Sequence, residues 1–340
     1  MNKLKVSKKK KCSICNKKHL LTKIKLPKLK FITSDGKALS HTKTYSICPN
    51  TQFLYANTSP SWTKIIKKIY SNYELNFDGV TKGKTTREEI IATKVKKKLP
   101  NIKTILEIGP GSGALLSKLN NLNNLDFIDA MDLNTKNLKY FKKINAFRKF
   151  FKNIYDIKIK YDLIILSHSL FHITDLRNKI YYLIKQLNKN GYILIVNPDP
   201  LKYPILPFIY EIFSFSSKKN ILSFFKGFGM HLKYEEKKNL KNELFLILKK
   251  DKIVKKNKFD KKFINNFYNV QINLEKKIKN LKNNRCLNIR GMGLKGNFLF
   301  LNLKNNVYKI FDNNLKKEKI INKSLNYIKN KKEIKSYKII

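Results

Sequence analysis

The sequence predicts an α/β protein, with a central, mostly parallel sheet and crossover helices flanked by a small N-terminal module and a C-terminal α/β module. Three observations predict it. Between residues 80 and 250, short β-branched apolar runs alternate with amphipathic stretches of helical length. One of those runs ends in a glycine-rich turn that opens at once into an apolar-periodic helix. The first 75 residues show no such alternation, and they hold three of the four cysteines and the only tryptophan, Trp62.

Taken in order, residues 1–75 contain short strand-like runs, such as Lys30 to Thr33 and Phe53 to Tyr55. In residues 80–250, Thr104 to Ile108, Asp126 to Met131, Asp162 to Leu166 and Tyr192 to Val196 read as buried strands. The run Phe245 to Leu248 is expected to close the sheet as an antiparallel edge strand. Lys249 to Lys258 is almost entirely polar and reads as a linker. In residues 259–340, the spacing of Phe263, Phe267, Val270, Leu274 and Ile278 predicts one amphipathic helix. A second short α/β pattern follows from Cys286, and the chain ends in a lysine-rich segment of low complexity.

With 340 residues and 42% hydrophobic composition, the chain can bury a large core. Its formal charge of +50 would ordinarily suggest nucleic acid. Only five of the 73 basic residues are arginine, however, and arginine's planar fork is the preferred tool for phosphate and base recognition. Lysine, asparagine and isoleucine rising together read instead as compositional bias on solvated positions. Four cysteines are too few for a disulfide framework in a chain of this length, so a cytoplasmic protein is expected. The start, Met1 to Lys11, lacks the apolar stretch of a signal peptide. No apolar run reaches the ~18 residues of a membrane span; Tyr203 to Phe215 is broken by Pro204, Pro207 and Glu211.

The sharpest signal is Ile105-Leu-Glu-Ile-Gly-Pro-Gly-Ser-Gly-Ala-Leu-Leu-Ser-Lys-Leu. Gly109, Gly111 and Gly113 form a tight turn between strand and helix, where backbone must approach a ligand closely. Asp132 ends the next strand, where a carboxylate can accept two ribose hydroxyls. This arrangement resembles the class I S-adenosylmethionine-dependent methyltransferases, with their Rossmann-like core. Tyr161 to Ile173 is similar to their fourth strand and active-site loop, and Leu187 to Val196 to their fifth strand. The resemblance implies S-adenosylmethionine as cofactor. Glu107 would lie near its amino end, the three glycines beneath it, and Asp132 at the ribose. Lys152, Asn153 and Asp156 lie near the usual adenine contact. An NAD-binding domain fits less well, because its fingerprint is G-x-G-x-x-G and position 114 is Ala.

Cys12-Ser-Ile-Cys15 has zinc-knuckle spacing, and Cys48-Pro-Asn-Thr51 repeats it with Thr in place of the last thiolate. Cys12, Cys15 and Cys48 are the candidate metal ligands, with His19 or His41 as a fourth; the alternative is a knuckle without metal. With the methyltransferase core and the tail (Gly291-x-Gly293-x-x-Gly296, then Val307 to Asn314), this module resembles the sugar C-methyltransferases that act on nucleotide-linked deoxysugars. Those enzymes carry a Glu-His pair after the fifth strand. Here Glu211 is present and Ile212 replaces the His, which speaks against carbon methylation.

Methyl transfer needs alignment, dryness and, for a protonated nucleophile, a base. His168 and His172 are the candidate bases in the loop after the fourth strand, and Glu211, Tyr70 and Tyr73 could face the acceptor. The two histidines would share a face if that loop is helical. The acceptor pocket is expected between Ser167–His172 on one side and Glu211 on another, with the Gly291 turn as lid. The sequence thus predicts methyl transfer to a small molecule, most simply a sugar or nucleotide-linked sugar intermediate. The alternatives are an RNA methyltransferase using the basic surface, and a non-catalytic S-adenosylmethionine-binding scaffold.

Overall fold

Capping signals and apolar periodicity set the secondary-structure elements along the chain. In the computed structural model the described residues are 4–24, 26–34, 36–71, 86–122, 124–240, 242–251, 259–283, 287–290, 294–303, 306–311 and 326–327. The N-terminal part holds β1 (Leu4–Lys11), β2 (Lys18–Ile24), β3 (Phe31–Ile32), β4 (Ala38–Leu39), β5 (Tyr45–Ile47), β6 (Leu54–Ala56) and α1 (Pro60–Ser71). The middle holds α2 (Arg87–Lys98), β7 (Thr104–Ile108), α3 (Ala114–Leu119), β8 (Phe127–Met131), α4 (Leu138–Phe141), β9 (Phe147–Phe151) and β10 (Tyr161–Ser167). It continues with α5 (Leu176–Lys185), β11 (Leu187–Pro198), β12 (Ser214–Phe215), α6 (Lys218–Lys226), β13 (Met230–Glu236) and β14 (Glu243–Lys250). Last come α7 (Lys262–Lys282), β15 (Leu287–Arg290), α8 (Leu294–Leu303), β16 (Val307–Phe311) and β17 (Asn326–Tyr327). Tyr73, Cys286 and the Gly291 and Gly293 turn lie outside the described residues.

The central sheet has seven strands in the order β13-β14-β11-β10-β7-β8-β9. Every pair from β11 to β9 is parallel, and β14 alone runs against both its neighbours. Chain order reverses between β7 and β10, which places a crevice at their carboxyl ends, where open α/β sheets bind ligands. The inner strands β7, β10 and β11 bury both faces. Leu106, Ile108, Ile164, Leu166, Ile193 and Ile195 face one apolar cluster. Ile105, Leu163, Ile165, Leu194 and Val196 face the other. Continuous apolar runs are what a doubly covered parallel strand requires.

The antiparallel strand expected at the sheet edge is interior. β14 lies between β11 and β13, because the more polar run Met230–Glu236 adds outside it. A solvated edge tolerates the charges of His-Leu-Lys-Tyr-Glu-Glu, and these charges disguise the strand in the sequence.

Helix α2 begins with a complete capping box: the Thr86 side chain accepts from the Glu89 N–H, and the Glu89 carboxylate accepts from the Thr86 N–H. Its acidic first turn and Lys96–Lys98 in the last turn both complement the helix dipole. This cap fixes Arg87 at the sheet's carboxyl end. Helix α7 buries Phe263, Ile264, Phe267, Gln271, Leu274 and Ile278, close to the predicted stripe.

A second sheet has the order β1-β2-β5-β6-β12. Its last strand comes from the segment after β11, with Ser214 opposite Tyr55 and Phe215 opposite Leu54. Lys43 reinforces this junction. Its buried ammonium donates to the carbonyls of Ile209 (2.6 Å), Tyr210 (3.0 Å) and Ile212 (2.7 Å). No described helix is long and apolar enough to cross a membrane.

Candidate active site

The turn after β7 adopts the conformation that its glycines permit. Gly109, Gly111 and Gly113 all have left-handed backbones, with φ of 68°, 58° and 77°. A Cβ on Gly109 would lie 3.0 Å from Cβ of Ser169, and one on Gly113 would lie 2.6 Å from the Phe141 ring. The Gly109 N–H donates to the Met131 carbonyl at 2.7 Å, tying the turn to the end of β8. Asp132 follows directly. Its Oδ1 accepts from the Asn134 N–H at 2.9 Å, and burial raises its pKa against the pull of that bond.

Glu107, in β7, is 2% exposed. Burial drives its pKa up to about 8, with the Arg87 charge pulling the other way. Its Oε2 is buried without a hydrogen-bond partner, as are the Ser169 hydroxyl and both amide atoms of Asn197 at the end of β11. Unpartnered buried polar atoms are costly, and at a ligand-binding crevice they mark where a ligand completes the bonding. A carboxylate beneath a left-handed glycine turn, with a second carboxylate at the end of the next strand, fits the cationic amino group and ribose diol of S-adenosylmethionine.

Beside Glu107 lies a charged network that sequence reasoning missed. Arg87 Nε donates to both carboxylate oxygens of Glu243 at 2.9 Å, and Nη2 donates to the Ser167 hydroxyl at 3.0 Å. The scarcity of arginine and the capping box in front of it were the available signals. Glu243 also lies 3.2 Å from His168 Nε2. Burial works to raise the Glu243 pKa, but His168 and Arg87 outweigh it and hold the carboxylate charged. His168 itself is in the left-handed region, φ 55°, and its N–H donates to the Val196 carbonyl at 2.7 Å. Desolvation of the ring lowers its pKa, against the Glu243 hydrogen bond, although its side chain remains 45% exposed.

His168 and His172 do not share a helix face. The left-handed residue interrupts the chain, and only Leu170–His172 forms a single 3-10 turn. His172 Nδ1 lies 2.8 Å from the Tyr70 hydroxyl. Burial, then the charges of His168 and Lys43, push its pKa down to about 4. Glu211 is 1% exposed, and its Oε1 accepts from Ser34 N–H (2.9 Å) and Ser34 Oγ (2.8 Å), while Oε2 has no partner. Burial raises its pKa. Of the residues near the expected adenine contact, Asn153 caps a 3-10 turn, its side chain accepting from the Tyr155 N–H.

The structure brings Cys12, Cys15 and Cys48 together, and His19 joins them; their four ligand atoms all lie within 4.8 Å of one another. His41 lies elsewhere, exposed beside Ser40.

Residues 84–233 match the family model described as a methyltransferase domain. That stretch carries the glycine turn and strands β7 to β11 of the doubly wound α/β sheet. No curated protein matches the sequence. Among solved structures, similarity extends to an O-methyltransferase family protein from Burkholderia thailandensis: 13% identity, 48% of this chain, 56% of that one, TM-score 0.41. It extends also to magnesium protoporphyrin IX methyltransferase from Synechocystis PCC 6803 with bound S-adenosylmethionine: 12% identity, 57% of this chain, 100% of that one, TM-score 0.41. A third is an amino pentose methyltransferase of calicheamicin biosynthesis from Micromonospora echinaspora: 13% identity, 49% of this chain, 92% of that one, TM-score 0.37. The chain spans just over half the length of the first O-methyltransferase structures it matches.

Proposed function

We propose that this chain, through its methyltransferase domain, transfers a methyl group from S-adenosylmethionine to an oxygen or nitrogen of a small molecule. The acceptor class is a sugar or nucleotide-linked sugar intermediate of biosynthesis. The observation that carries the reading is the buried Glu107 Oε2, without a partner under the left-handed glycine turn. Glu107 would take the amino group of the cofactor, Gly109 to Gly113 its close backbone contacts, and Asp132 the ribose hydroxyls. When bound, the cofactor supplies an electrophilic methyl on a sulfonium centre. The remaining task of the chain is to align the acceptor and exclude water.

His168 is the base in this reading, with Glu243 as its positioning residue. A neutral ring that donates from Nε2 to Glu243 has its lone pair at Nδ1, ready to accept the proton of a hydroxyl or amine. His172, tied to Tyr70, would stand on the same wall as His168, and Glu211, tied to Ser34, on a second. Ile212 fills the position of the base that carbon methylation beside a sugar ketone would need, so oxygen and nitrogen acceptors come first.

Calorimetry on wild type and Asp132→Ala tests the cofactor site. Loss of a charge-assisted hydrogen bond costs roughly 1.5 to 3 kcal/mol, or about ten- to a hundredfold in affinity. Equal affinity in the two proteins overturns the assignment. His168→Ala is expected to lower turnover by about 10² to 10⁴ with cofactor affinity unchanged. Product mass spectrometry showing a new carbon–methyl bond removes the oxygen or nitrogen preference. Submicromolar, sequence-selective RNA binding at about 150 mM salt would replace the small acceptor with RNA.

A further inference from the structure

Arginine is rare in this chain, five of 73 basic residues, and one of the five stands where a guanidinium is needed. All three nitrogens of Arg87 are engaged. Nε donates to both Glu243 oxygens at 2.9 Å, Nη2 to the Ser167 hydroxyl at 3.0 Å and Nη1 to Glu88 Oε1 at 3.2 Å. A lysine ammonium is a compact point charge and does not span partners on β14, on β10 and on its own helix. Arg87 is the first residue of α2, fixed there by the Thr86–Glu89 capping box. Further along, Lys94 ties the same helix to Glu236 on β13 at 2.5 Å. The helix is thus pinned to the β13–β14 pair at two points, and the first of them touches the site.

Arg87 and His168 meet the same carboxylate oxygen. Glu243 Oε1 lies 2.9 Å from Arg87 Nε and 3.2 Å from His168 Nε2. The backbone aims the ring: His168 sits at φ 55° with its N–H on the Val196 carbonyl, a conformation that a residue with a Cβ adopts at a cost. A histidine facing a lone carboxylate is drawn into an ion pair, in which the ring holds two protons and has no lone pair. Such a ring is oriented but is no base. Here the carboxylate already has a cation. Arg87 answers the Glu243 charge and repels a second proton on the ring, so orientation and protonation come apart.

The other groups around the ring do not undo this. Desolvation lowers the His168 pKa most and the Arg87 charge adds to it, against the Glu243 bond and charge and the charge of Glu88. Glu88, on α2, is itself paired with Arg87. His172, on the 3-10 turn, has its pKa pushed down to about 4 by burial and is uncharged at neutral pH. Tyr203, in the loop after β11, is held in its phenol form by burial and by the Glu243 charge.

Resting on the reading of His168 as the base, we propose that Arg87 is a second positioning residue: it occupies Glu243 so that this carboxylate orients the His168 ring through Nε2–H and leaves Nδ1 unprotonated for the acceptor. The proton taken from the acceptor goes to Nδ1 and from there to solvent, while the bonds of Glu243 to Nε2–H and to Arg87 stay in place. Arg87 itself touches neither acceptor nor cofactor in this role and acts through Glu243 alone.

Nitrogen-15 NMR of the histidine-labelled full-length protein tests this without an acceptor. The chain has five histidines, and His168→Gln identifies the His168 signals. The wild type should show the Nε2–H tautomer at neutral pH and titrate below the ordinary midpoint of about 6.5. The two neighbours should move that midpoint in opposite directions: Arg87→Gln up by about one pH unit, Glu243→Gln down. Lys94→Ala, which releases α2 at its other pin, should leave it in place. An Nδ1–H tautomer in the wild type, or a wild-type midpoint above about 7, overturns the proposal with no mutation at all. An Arg87→Gln midpoint that stays or falls also overturns it, and so does a Lys94→Ala shift as large as that of Arg87→Gln, which would assign the effect to the place of the helix. These readings need no cofactor, so their failure leaves the Asp132 assignment standing. Unchanged turnover in His168→Ala would instead remove the base and leave the measured effect of Arg87 on the ring intact.

Discussion

At the carboxyl ends of β7, β10 and β11, buried polar atoms are left without partners: Glu107 Oε2, the Ser169 hydroxyl and the Asn197 amide. Where residues 209–214 meet the N-terminal sheet, the charged and ring groups are tied to fixed partners. Lys43 spends its ammonium on three carbonyls, Glu211 Oε1 takes two donors from Ser34, and His172 meets Tyr70; Glu211 Oε2, Ser214 Oγ and the Tyr55 hydroxyl are left without partners. An unsatisfied buried group costs about 1 to 3 kcal/mol. The difference lies in the charged groups: the junction ties an ammonium and a carboxylate oxygen to partners within the chain, whereas the sheet end leaves a carboxylate oxygen and a whole amide without any. In the proposed reading the open region receives the cofactor, while the junction holds two sheets together through Lys43 and the β6–β12 pairing.

The sharpest way to break this contrast is Lys43→Ala. It strips donors from three buried carbonyls, and we expect a loss of about 3 to 5 kcal/mol in urea unfolding. Cofactor affinity of the folded protein should stay within about threefold. A stability loss under about 1 kcal/mol would show that Lys43 does not brace the junction.

Acid should reach the same region through His172. Its pKa is pushed down to about 4 in the folded protein, against about 6.5 for an unperturbed histidine. The unfolded chain therefore binds the proton more readily. Stability from this group is fully present above about pH 6.5 and is lost as pH falls toward 4, by an amount on the order of 3 kcal/mol. His172→Gln should flatten that part of a pH series of unfolding curves. An unchanged slope would remove His172 from the braced wall.

The open region should respond to pH in its ligand rather than in its stability. Glu107, raised to about 8, is largely protonated at neutral pH and must ionise to hold a cationic amino group. Below pH 8, affinity for S-adenosylmethionine should fall up to about tenfold per unit, with close to one proton released per molecule bound. Calorimetry near pH 7 in buffers of different ionisation enthalpy measures that proton. Glu107→Gln should abolish the release, and a wild type that releases none would place the amino group elsewhere.

The open region was the more legible of the two in sequence, and the reason is locality. Glu107 to Gly113 form one strand end and one turn, and the chemistry of the turn demands glycine in sequence order. Lys43 could not be distinguished among so many solvated lysines, because its partners lie 166 to 169 residues away. Glu243 and Arg87 meet only once the sheet is assembled. The cysteine cluster was legible by half: Cys12-x-x-Cys15 is local, whereas His19 joins it from β2 and His41, after β4, lies away from it. β13 escaped detection because an edge strand need not be apolar.

The pairing of β6 with β12 also bears on the birth of the protein. Tyr55 meets Ser214, so the N-terminal sheet lacks its closing strand until roughly 160 further residues have left the ribosome. At about 5 to 20 residues per second, this interval lasts on the order of ten to thirty seconds, during which β6 presents a bare edge. Vectorial synthesis, which usually lets an N-terminal unit finish first, here leaves the first unit waiting on the second. A fragment ending before residue 214 would carry that unpaired edge permanently and be prone to sticking to its own copies.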